Sequence, residues 1–121
     1  DVVCAGLEDE IRGQRSLVED GGHCLGWAPM YLSVPDTGGL IAGGTACQSI
    51  GLGCGSAAGV TVDRPDHTTV LVTGDGGGLM ALADLETFIR TAVFHESMRR
   101  ALLIALAQSR HITVLSDRQV S

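Results

Sequence analysis

The feature that most restricts what this chain can fold into is a run of β-branched and apolar residues, Thr68-Thr69-Val70-Leu71-Val72-Thr73, which ends at Gly74-Asp75-Gly76-Gly77-Gly78. Side chains of this kind at every position, rather than at alternate ones, suit a strand covered on both faces, as at the centre of a parallel sheet. Parallel strands need long crossover connections, usually helical. The run therefore implies strand–helix–strand units and an α/β layer structure. Glycines after a strand let backbone N–H groups approach an anion closely, and a helix start just beyond them adds positive partial charge. A lone carboxylate there repels a phosphate unless a divalent cation lies between the two. The run and its glycine box together imply a metal-bridged diphosphate site at the end of a buried strand.

Composition narrows the classes. The 121 residues support one domain. Hydrophobic residues make up 45% of the chain and aromatics only 3%, so the core must be aliphatic. Net charge is −6 and every basic residue is an arginine, with no basic stripe. That argues against nucleic acid or an anionic membrane as partner. No apolar run approaches the roughly 18 residues of a membrane span, and the first residues show no signal-peptide pattern; the expectation is a cytoplasmic protein. Cys4, Cys24, Cys47 and Cys54 have neither CxxC spacing nor histidines at zinc-site intervals, so they are read as free, buried or half-buried thiols.

All 17 glycines and all three prolines lie at or before Gly78. Three segments follow: a lead-in over 1–15, a diphosphate-binding core over 16–92, and a divergent helix with a possible final strand over 93–121. Short strands are expected at 16–18 and 40–42, a short helix around 27–32, and a turn at 35–39. Residues 49–62 read as a helix despite Gly51, Gly53, Gly55 and Gly59. Each such glycine costs about 1 kcal/mol of helix propensity relative to Ala, to be offset by tight packing or by a ligand at the helix start. Residues 79–92 form an amphipathic helix with Leu79, Leu82, Leu85, Phe88 and Ile89 on its core face and Asp84 and Glu86 solvated. Residues 93–109 read as helix after a break near 91–95, and 111–115 as the next parallel strand. Trp27 and Met30 are assigned to the core; His67, His95 and His111 to the surface or to helix ends. These units describe an α/β, three-layer, doubly wound parallel sheet, here an incomplete one.

Three ordered blocks carry a resemblance. They are Glu19-Asp20-Gly21-Gly22-His23-Cys24-Leu25-Gly26-Trp27; Gly44-Thr45-Ala46-Cys47-Gln48-Ser49-Ile50-Gly51-Leu52-Gly53, running into Ala57-Ala58-Gly59; and Arg64-Pro65-Asp66 through Gly74-Asp75-Gly76. The chain from about 20 to 92 resembles the diphosphate-binding domain of thiamine-diphosphate-dependent enzymes, in particular the acetolactate synthase-like group. The resemblance implies that Asp75 ligates a Mg²⁺ bridging the two phosphates, with Gly74, Gly76 and Gly77 around the same anion. It places Gly22, His23 and Cys24 against the diphosphate from the first strand-end loop. It makes Ile50 the bulky residue that wedges the cofactor into its bent form, with the backbone of Gln48 and Ile50 on the pyrimidine. The activity implied is that of a lyase or transferase, decarboxylation of a 2-oxo acid followed by carboligation or protonation.

Two departures accompany it. The family has a second metal ligand, an Asn, at the end of the strand after this helix, and nothing between Val93 and Leu106 fits it. If the preceding helix is an insertion, Ser116 or Asp117 stands in that place. The glutamate that activates the pyrimidine lies in another domain, so the resemblance implies a pyrimidine-binding domain or subunit as partner in a homo- or hetero-oligomer, and no turnover by this chain alone. Two other readings stay open: a truncated or frame-shifted non-catalytic remnant of such an enzyme, and an unrelated nucleotide-binding module using 74–78 as a phosphate loop, without the Lys-Ser/Thr of a P-loop.

Overall fold

The computed structural model describes residues 8–9, 11, 13–43, 45–47, 49–94, 102–106 and 112–115. Five strands make one sheet: β1 (Arg15–Glu19), β2 (Leu40–Ala42), β3 (Thr68–Gly74), β4 (Leu102–Leu106) and β5 (Ile112–Leu115), in the order β2-β1-β3-β4-β5. The first four are parallel and β5 runs antiparallel to β4. Helix α1 (Ala28–Tyr31) lies between β1 and β2, and α2 (Gly53–Asp63) between β2 and β3. Helices α3 (Asp75–Met80) and α4 (Leu82–Phe94) leave β3.

The strands carry the layer structure. Successive side chains of a strand point to opposite faces. Leu17, Val70 and Val72 pack with Cys24, Ala28 and Leu32 on the α1 side. Val18 and Leu71 pack with Cys54, Ala57, Ala58, Ala81 and Phe88 on the other. Both faces of β1 and β3 are therefore covered, as their unbroken apolar character required. The small residues Cys54, Ala57, Ala58 and Thr61 make the sheet-facing side of α2, so that helix lies close on Leu71. The Thr61 hydroxyl donates to the Ala57 carbonyl at 2.6 Å and lies 3.2 Å from the Thr69 hydroxyl, which satisfies both buried groups.

Topology then places a crevice. The chain steps from β1 outward to β2, returns across β1 to β3, and continues to β4. Winding reverses between β1 and β3, and open α/β sheets bind ligands above the carboxyl ends of strands at such a reversal. At the opposite edge of the sheet, Arg64 pairs with Asp36 and Arg15 with Glu8. His67 is half-buried there, its Nδ1 3.0 Å from the Ser16 hydroxyl, rather than a surface histidine.

Several sequence expectations are corrected. Helix α2 begins at Gly53, four residues after the expected start. Residues 102–106 are strand β4, not helix: they pair with β3 from Val70↔Leu102 to Gly74↔Leu106. A long-range ladder overrides a local 3–4 spacing of apolar residues here, and the sheet extends beyond the boundary drawn at 92. Residues 112–115 are a strand, but antiparallel, with Leu106↔Ile112 and Leu103↔Leu115. Leu115 therefore lies toward the edge away from the crevice; Ser116 and Asp117 fall outside the described residues, as do Cys4, His95, His111 and the remainder of the expected helix, 95–101 and 107–109. The core face after β3 is Ala81, Leu85 and Phe88, while Leu79, Leu82 and Ile89 are exposed. Within α4 the sheet-facing side is centred on Leu85 and Phe88, with Leu82 and Ile89 at its margin, and the break at Ala81 separates Leu79 from that helix. Trp27 and Met30 are exposed rather than core, with Trp27 stacked on Tyr31. Among the cysteines described, Cys24 and Cys54 are buried and Cys47 exposed. No helix described is long and apolar enough to cross a membrane.

Phe88, 3% exposed, anchors α4 to the sheet. Phe88→Ala is expected to lower the unfolding free energy by about 3–5 kcal/mol, read from urea denaturation. A loss no larger than that of an exposed substitution such as Ile89→Ala would show that α4 does not pack there.

Candidate functional site

Where β1 ends, the next residue in the chain is Asp20, fully buried on the Val18 face of the sheet. A buried carboxylate is tolerated only when its oxygens are well hydrogen-bonded. Here Oδ1 accepts from the backbone N–H groups of Gly21 at 2.8 Å, Gly51 at 3.0 Å and Leu52 at 3.2 Å. Oδ2 accepts from the Thr73 hydroxyl at 2.8 Å and from Gly51 N–H at 3.1 Å. Asp20 also donates its own N–H to the Val72 carbonyl at 2.9 Å. One side chain thus ties the end of β1, the approach to α2 and the end of β3 together.

The loops close on this point. Gly51 has φ +92°, the left-handed region that favours glycine. A methyl at Gly77 would lie 2.4 Å from Asp20 Oδ2 and 2.7 Å from the Thr73 hydroxyl oxygen, so only glycine lets the first turn of α3 settle there. The Gly21 backbone runs against the Ser49 carbonyl, and Ile50 stands between the two strand-end loops. A methyl on Gly21 would meet its Cγ1 at 3.4 Å, and one on Gly77 its Cγ2 at 3.3 Å. Ile50 remains 45% exposed, which leaves apolar surface for a ligand.

Asp75 is the first residue of α3 and is exposed, immediately beyond the extended Gly74. Its Oδ1 accepts from Gly76 N–H at 2.8 Å, so that amide is engaged by the carboxylate. The N–H groups of a first helical turn have no acceptor within the helix, and around Gly76 there is open space where a side chain would stand. His23 is exposed on the turn leading to α1, and Gly22 is exposed beside it. Cys24 lies inward instead, its thiol in the core with Leu17 and Ala28 and its pKa pushed up by burial. Any contact of that residue with an anion must come from its backbone. Gln48 lies outside the described residues.

The structure therefore gathers Gly22, Ile50, Gly74, Asp75, Gly76 and Gly77 at the carboxyl ends of β1 and β3. Among the described residues no group of three or more His, Cys, Asp or Glu could hold a metal by itself. Asp75 alone suits a hard, strongly hydrated cation that keeps waters and takes phosphate oxygens beside one carboxylate, the habit of Mg²⁺. Sequence reasoning missed Asp20 and Glu19 as structural carboxylates. The available signal was their position, two acids directly after a buried apolar strand, one on each face. Glu19 is buried on the α1 side and accepts from Gly26 N–H at 3.0 Å, and burial raises its pKa.

The family model described as thiamine pyrophosphate enzyme, C-terminal TPP binding domain, matches residues 20–94, from Asp20 to the last residue of α4.

Gly77→Ala is expected to weaken folding and displace α3, while Gly76→Ala, with open space around it, leaves the melting temperature nearly unchanged; thermal unfolding of the two variants checks the contrast. For Glu19, the folded group holds its proton to a higher pH than the unfolded one, so its contribution is lost as pH rises through the raised value. Glu19→Gln keeps an acceptor for Gly26 and removes that loss. Urea titrations from about pH 4 to about pH 8 should show the variant gaining on the parent chain as pH rises.

Proposed function

The chain belongs to the thiamine pyrophosphate enzymes, as their C-terminal TPP-binding domain, and on that premise we propose that it holds thiamine diphosphate and Mg²⁺ in the crevice above β1 and β3. It is the cofactor-binding part of an acetolactate synthase-like enzyme of the lyase or transferase class that acts on 2-oxo acids. The observation that carries this reading is Asp75, an exposed carboxylate at the end of the central buried strand, at the reversal of winding and on the first turn of α3.

In this reading Asp75 would hold the cation, whose charge would offset the repulsion between its carboxylate and a phosphate. Amides at the start of α3 and in the turn at 21–23 donate to the diphosphate, and His23 adds a side-chain contact. Ile50 would present its uncovered apolar surface to the cofactor's rings. The bound cofactor supplies the electron sink for decarboxylation and carboligation. The protein residues hold it, orient it and exclude water from one side.

A pyrimidine-binding domain or subunit completes the site, in a homo- or hetero-oligomer, and supplies the activating glutamate; the chain alone is inactive in turnover. Exposed Leu52, Leu79, Met80 and Leu82 support a partner surface there. Met80 lies beside Gly51, so this apolar surface adjoins the Ile50 loop. The cytoplasm is the proposed compartment.

Calorimetry of the full chain with thiamine diphosphate tests the reading. Binding should need Mg²⁺ and be lost in EDTA, and Asp75→Asn should weaken it by about tenfold or more, the equivalent of one charge-assisted contact. Equal affinity with Mg²⁺ and with EDTA would sink the proposal.

A further inference from the structure

We infer that Asp20 is a positioning residue for this crevice: its buried carboxylate fixes the Ile50-Gly51-Leu52 backbone against Thr73 and so sets where the Ile50 side chain stands between the two strand-end loops. Among the described residues all its donors are uncharged, three backbone amides and one hydroxyl, and they come from three segments of the chain. A carboxylate in such surroundings adds less to stability than a well-packed apolar side chain of similar volume often would. What it supplies is direction. Residues 49–52 precede α2 and belong to no strand, so the sheet offers no acceptor for their amides. Asp20 is the acceptor for two of them, at Gly51 and Leu52. Ile50 is thus held from both sides, by Ser49 against Gly21 and by the two following amides on the carboxylate.

The same group reaches the second loop. Oδ2 occupies the space beside Gly77 in which a side chain would stand and binds Thr73, the residue before Gly74. The first turn of α3 and Ile50 therefore share one buried reference point. The consequence for the cofactor rests on the function proposed above, whereas the organisation of the loop does not.

Hydrogen exchange of individual amides in the full chain, followed by NMR, tests the inference without any ligand. In the parent chain the amides of Gly51 and Leu52 should be protected to the level of the β3 ladder, although they lie in a loop. In Asp20→Asn the amides of Gly21, Gly51 and Leu52 should exchange about tenfold faster or more relative to those of Val70 and Val72 in the same spectrum. Unprotected loop amides in the parent chain, or loop and strand amides accelerating equally in the variant, would overturn it. The parent measurement decides the question even if the variant does not fold.

Calorimetry then reads the link to Ile50. Asp20→Asn and Ile50→Ala should each weaken Mg²⁺–thiamine diphosphate binding, and the double variant should be no weaker than the poorer single one. Full additivity would refute action through Ile50. If the parent chain binds no thiamine diphosphate, the cofactor reading fails while the exchange result still decides the role of Asp20.

Discussion

The parallel pairing of β1 with β3, covered on both faces, is the constraint on which the rest of the molecule depends. The register Arg15↔Thr68 through Glu19↔Val72 brings the two strands to an end almost level, so that the loops leaving them face each other. Because winding reverses between these strands, the loops diverge to opposite faces and leave a crevice instead of a closed edge. Packing from Leu17 on one side and Leu71 on the other fixes both strands against sliding, since a one-residue slip would exchange the buried faces.

Above that frame two aspartates take opposite parts for electrostatic reasons. Asp20 is withdrawn from water and surrounded by donors, so its capacity is spent on the protein itself. Asp75 is exposed and makes one short local contact, which leaves its carboxylate available to a cation. The buried group makes the exposed one useful, because the loop beside α3 and the turn before α2 meet through it. Glu19 holds the outer turn in the same way, through Gly26.

The second half of the chain shows why local pattern has limited reach. Phe94, Met98, Ala101, Leu102 and Ala105 have the spacing of a helix face, yet the free edge of β3 takes the unbroken apolar run at 102–106 as a strand. The pairing partner lies some thirty residues earlier, and nothing in the local sequence announces it. Similarly, Leu79 and Leu82 are exposed although they fit an amphipathic stripe over 79–92, because Ala81, Leu85 and Phe88 make the face that meets the sheet. Trp27 and Met30 are exposed because a helix of four residues covers little of the sheet.

What the sequence determined by itself was the layer structure, the central strand and the acidic box at its end. These follow from β-branched runs, glycine placement and helix starts, which act over a few residues. The tertiary structure alone decided the fate of Asp20, the bracketing of Ile50, the antiparallel course of β5 and the strand at 102–106. Each of these depends on which distant backbone groups come within hydrogen-bonding distance, and that is fixed only when the sheet is assembled.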